Sequence, residues 1–223
     1  MNAIWLSLVW VLAASLLGFV ISAVFAGRLG LSRLVFLIPY LSLTILFLAG
    51  FFAWNGMDLP AMFLDRWPLG LLAGLLVGAF LVLNVHAQPA SRQAQGSELA
   101  FDVAWLGLAY GILDGLYLNV MPVLALWVGF SQMGWPTSLG GEITAGLLYL
   151  AASMLVTLTY HLGYPEFRNK RVTMVVFGNT LITLAYLLST NPLGAVLGHA
   201  IMHVAAVLRG PETTLQLPPH YSY

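Results

Sequence analysis

The residues best suited to chemistry stand in the last apolar segment, "GHAIMHVAAVLRG", Gly198 to Gly210, where His199 and His203 are four positions apart. Residues i and i+4 of a helix share a face, and two imidazoles so placed can bind one metal ion. Asp114, in "AYGILDGLYLN", is the one acid well inside an apolar segment. A carboxylate at that depth needs a partner, a proton or water, because an unpaired charge among apolar helices costs several kcal/mol. At the helical rise, Asp114 lies roughly 18 Å from the nearer polar end, His199 roughly 15 Å, Asn179 about 10 Å and His203 roughly 9 Å. These four residues can meet in one pocket if their helices are neighbours. His161, in "TLTYHLGYPEFR", and His86, in "LVLNVHAQP", lie near the same surface, and either can add a third ligand or hold a cofactor. The plainer reading of any one of these histidines is a hydrogen bond between helices, worth about 0.6 kcal/mol on average.

The elements that must position these groups are membrane helices. Hydrophobic residues make up 60% of the 223 residues and charged residues 7%, against roughly 25% charged in an average soluble domain. Mean hydropathy is +0.90. The fold class expected is all-α: one polytopic transmembrane bundle over residues 1–223, ending in a short cytoplasmic tail over 209–223. Seven apolar segments run Ala3–Ala26, Leu34–Trp54, Leu69–Val85, Val103–Phe130, Ile143–Leu162, Val172–Ser189 and Leu193–Leu208. The last two are divided only by Thr190, Asn191 and Pro192. One continuous helix over both would be roughly 55 Å long, well beyond a hydrocarbon core of about 30 Å, so a tight turn at Asn191-Pro192 is expected. The first segment lacks a positive n-region and is longer than a signal-peptide core, so it reads as a retained helix.

Seven spans sort the basic residues by side. Arg28, Arg33, Arg92, Arg168, Lys170, Arg171 and Arg209 fall on one side and only Arg66 on the other. By the positive-inside rule the amino terminus is outside and the carboxyl tail cytoplasmic, with a prokaryotic inner membrane as the expected location. Trp5, Trp54, Trp67, Trp105, Trp127 and Trp135 lie near span ends, where indoles favour the headgroup region. The scattered cations leave no nucleic-acid footprint. The absence of cysteine excludes disulfides and thiolate sites. Gly70, Gly74 and Gly78 form a strip of small residues in the third span, and Gly107, Gly111 and Gly115 another in the fourth. The two strips are expected to close on each other or on a second protomer. Pro39 and Pro122 should kink their helices.

Two resemblances attach to these motifs. "GYPEFRNKR" followed by "GHAIMH" resembles the CAAX-protease and bacteriocin-processing family of intramembrane metalloproteases, with Glu166 and His199 as the residues that carry over. The order His86, Asp102, His199, His203 resembles the alkaline-ceramidase and adiponectin-receptor superfamily, whose seven-helix members hold zinc with an HxxxH in the last helix. Both imply zinc on His199, His203 and a third imidazole, with an open position for a water of lowered pKa. Asp114 or Glu166 would act as general base or orient a histidine.

Three classes of function are open at this level. A non-catalytic subunit or scaffold of a larger membrane complex fits the short loops, the glycine strips and the proline-rich tail "LRGPETTLQLPPHYSY", with the histidines bonding between helices or ligating haem or a chlorophyll-type pigment. A metal-dependent hydrolase of a lipid amide or ester, or of a peptide, fits the His/Asp set. A proton-coupled small-solute transporter fits Asp114 as the proton-carrying acid. The partners expected are membrane lipids and a membrane protein or a second copy of the chain.

Overall fold

A computed structural model describes residues 3–220, and all regular structure among them is helical. Six helices are long and apolar enough to cross a membrane: α1 (Ile4–Arg28), α2 (Arg33–Trp54), α4 (Trp67–His86), α5 (Gly96–Gln132), α6 (Leu139–Gly163) and α7 (Arg171–Ser189). The short α3 (Leu59–Leu64) caps one end, and α8 (Leu193–Arg209) is a shorter apolar helix. The division between α7 and α8 falls at the expected turn. Thr190 adopts a left-handed conformation at φ 53°, and Asn191 Oδ1 accepts the Leu193 N–H at 2.8 Å, capping α8. The Asn191 amide also donates to the carbonyls of Met62, Phe63 and Asp65, tying the turn to α3.

The most buried of the long helices is α5, which α1, α2, α6, α7 and α8 all touch. It does not run as one regular α-helix. Val103–Ala109 and Gly115–Val120 are π-helical, and between them Tyr110–Asp114 is α-helical. Such wide turns are rare and recur at functional sites. The kink expected at Pro122 has a local consequence. Pro122 has no N–H to offer the Leu118 carbonyl four residues back, and Ser153 Oγ of α6 donates to that carbonyl at 2.7 Å.

The expectation that the two glycine strips close on each other is corrected: both close on α8, which lies between α4 and α5. A Cβ on Gly74 would stand 3.1 Å from the Gly194 carbonyl oxygen, one on Gly111 2.8 Å from Ala200 Cα, and one on Gly115 2.7 Å from Val196 Cα. Backbone atoms cannot step aside, so these positions require glycine for the approach they make. The reason is that α8 carries small residues toward both neighbours, Gly198 against Val77 of α4 and Ala200 against Gly111 of α5, and so accepts a close approach on each side.

Candidate metal centre

The sandwiching of α8 fixes where its histidines point. His199 and His203 are both buried, on the stretch of α8 that crosses α5 at Gly111 and Gly115. Asp114 lies one residue before the second π-helical turn and is also buried. One ligating atom from each of Asp114, His199 and His203 lies within 4.8 Å of the other two. The expected meeting of these three residues is therefore present, and the third member of the set is a carboxylate where an imidazole was expected.

The contacts around the three groups orient them. Tyr40 of α2 donates its hydroxyl proton to Asp114 Oδ1. His203 Nδ1 stands 3.4 Å from the Leu106 carbonyl, so as the Nδ1–H tautomer it leaves an Nε2 lone pair, which faces Asp114 Oδ2 at 3.6 Å. That separation is too long for a hydrogen bond. It suits two ligands of one ion, since atoms about 2.0–2.1 Å from a tetrahedral zinc stand about 3.4 Å apart. The Tyr110 ring meets His203 edge-on, with centroids 4.7 Å apart. His199 Nδ1 is buried and makes no hydrogen bond. A buried polar nitrogen without a partner is uncommon in a folded protein and needs a reason; a metal ion is one. The donor set fits zinc: two neutral imidazoles and one carboxylate, with carbonyl and hydroxyl partners behind two of the three.

These residues line a cavity of about 260 Å³ bounded by α4, α5, α6, α7, α8 and the carboxyl-terminal tail. His161 and Asn179 are on its wall. His161 Nδ1 pairs with the Thr157 carbonyl at 2.8 Å, which makes Nε2 its proton-accepting nitrogen. Asn179 belongs to a second buried cluster, described below. His86 is exposed, with Nδ1 against the Val82 carbonyl at 3.0 Å, and is not part of the cavity lining. Asp102 lines a separate pocket with Arg33 and Glu212. Glu166 also stands apart from the cavity and holds the tail, accepting from the His220 backbone N–H at 2.9 Å and contacting His220 Nδ1 at 2.9 Å. Tyr40 is the contributor that sequence reasoning missed. The available signal was a tyrosine inside an apolar helix, since a buried tyrosine hydroxyl almost always has a partner.

The tail is not free. Arg33 Nε donates to the Leu217 carbonyl at 2.6 Å and Arg33 Nη2 to the Pro219 carbonyl at 3.2 Å, while Leu215 N–H donates to Gln88 Oε1 at 2.8 Å. Leu215, Gln216 and Pro218 thereby become part of the cavity wall. Comparison of the chain with protein-family models, with curated proteins and with solved structures finds no match.

Proposed function

We propose that this protein is a metal-dependent hydrolase working inside the membrane, with Asp114, His199 and His203 holding zinc. The observation that carries the reading is the convergence of three buried ligating groups within 4.8 Å at the wall of a cavity. A zinc ion held there supplies a Lewis acid and lowers the pKa of water toward about 7. Tyr40 keeps the Asp114 carboxylate oriented, and the Leu106 carbonyl keeps His203 in the tautomer that offers Nε2. Asp114 is occupied as a ligand and Glu166 as a tail contact, so the proton acceptor on the cavity wall is His161, through Nε2. Two features that favoured a scaffold are used within the chain itself: the glycine strips close on α8 and the tail closes on the bundle. His199 and His203 also lie side by side, unable to ligate one porphyrin from opposite faces.

The topology that goes with this reading has seven crossings, amino terminus outside and carboxyl tail in the cytoplasm of a prokaryotic cell. It is favoured by the charge asymmetry and by the gathering of Arg33, Arg168 and Arg209 around the end of the bundle where the tail docks. The test is elemental analysis of the protein purified in mild detergent, with an absorption spectrum of the same sample. About one equivalent of zinc, lost in His199→Ala/His203→Ala, is expected. A folded wild type carrying neither metal nor chromophore would return the protein to the non-catalytic class and make co-purification of a membrane partner the next step.

A further inference from the structure

The cavity that holds the proposed metal site has one wall that is not like the others. On most sides it is closed by buried helix faces, and toward water it is roofed by the tail. Between α4 and α7 its lining residues are themselves exposed on the outer face of the bundle: Phe80 and Asn84 on α4, Met174 and Phe177 on α7. The two helices approach each other at Leu81 and Gly178, where a Cβ added to the glycine would meet Leu81 Cδ2 at 3.8 Å. Beyond that contact, toward the ends marked by Gln88 and Arg171, the cavity continues to the roof formed by Leu215, Gln216 and Pro218.

We propose that substrate reaches Asp114, His199 and His203 sideways from the lipid through this gap, and that it is a neutral single-chain amphiphile, a fatty acyl ester or amide. The class follows from what lines the route. Aromatic and thioether side chains at the gap suit a hydrocarbon chain. Among the described residues lining the cavity there is no lysine or arginine, so nothing there matches a phosphate, which calls for cationic donors. The uncharged amides of Asn84, Gln88 and Gln216 suit a hydroxyl, ester or amide head group. The cavity has a volume of about 260 Å³, and α4 and α7 come into contact at Leu81 and Gly178, which leaves a narrow gap suited to a single chain. The inference rests on the hydrolase reading for the scissile bond but not for the route.

The test uses the full chain in lipid nanodiscs with a monoacylglycerol carrying a photoreactive diazirine in its acyl chain, followed by peptide mapping. Labelling should concentrate on the segments holding Phe80, Asn84, Met174 and Phe177, and should fall by about tenfold or more in Gly178→Trp and in Ala87→Trp. Ala87 is exposed at the end of α4, so at least the second variant keeps the bundle intact. Leu147→Trp, on an exposed face of α6, should change nothing. Labelling spread evenly over the lipid-facing residues, and unaltered by both gap variants, would overturn the proposal. Zinc content measured on the same samples separates the two ideas: gap labelling without zinc would sink the hydrolase and leave the route, while zinc without gap labelling would do the reverse.

Discussion

Two buried polar clusters lie close together in this bundle, and they are built differently. In the first, Asn119 Nδ2 donates to Asn179 Oδ1 at 2.8 Å and to Thr183 Oγ1 at 2.7 Å, while Asn179 Nδ2 donates to Ser153 Oγ at 3.0 Å. Every one of those groups is neutral, and apart from Asn119 Oδ1 each side-chain polar atom has a partner. In the second, Asp114, His199 and His203 are close without bonding to each other: His203 and Asp114 stand 3.6 Å apart, and His199 Nδ1 has no partner. A neutral network bonded among its own members holds α5, α6 and α7 together. Here three groups converge without bonding to one another and one nitrogen is left without a partner, a donor set that a metal cation would fit.

That contrast can be broken in several places. The largest effect is expected from Asp114→Ala, which removes a ligand: zinc should fall from about one equivalent to less than about a tenth, read by elemental analysis. Gly111→Ala should come next. Its Cβ would stand 2.8 Å from Ala200 Cα and 3.0 Å from the His199 carbonyl oxygen, so α8 must shift, at a cost of about 1–3 kcal/mol in unfolding free energy and with a measurable loss of zinc affinity. Tyr40→Phe frees Asp114 Oδ1 while leaving all three ligands, and should weaken zinc binding about 10- to 100-fold in a chelator competition without changing the stoichiometry at saturation. Ser153→Ala strikes the other cluster. It strips an acceptor from Asn179 and a donor from the Leu118 carbonyl, so unfolding should become easier by about 1–3 kcal/mol, with zinc affinity unchanged. The smallest effect belongs to Gly50→Ala, where nothing lies within 4 Å of the added Cβ. Stability there should change by no more than about 1 kcal/mol and zinc not at all.

Much of the frame was legible along the chain because it depends on local patterns. Apolar runs and their charged ends placed the long helices, and Asn191-Pro192 marked the turn before α8. The i, i+4 spacing put His199 and His203 on one face, and the lone buried acid at similar depth pointed to Asp114. What escaped depends on which helix lies beside which. The glycine strips announced close neighbours but not that α8 was the neighbour of both. Tyr40, 74 positions before Asp114, reaches it only because α2 packs on α5. The proline-rich tail reads as a contact surface for a partner, and its docking on this chain rests on Arg33 and Gln88, more than a hundred residues earlier. Glu166, in the same way, has the residue type of a general base and the position of a tail contact.

X-ray absorption at the zinc edge on the purified protein asks whether Asp114, His199 and His203 coordinate one zinc ion. A first shell of nitrogen and oxygen at about 2.0–2.1 Å is expected, with the outer-shell scattering of two imidazoles, reduced to one in His199→Ala. A bound zinc whose shell is the same in wild type and in His199→Ala, or a well-folded protein that takes up no zinc at all, would contradict it.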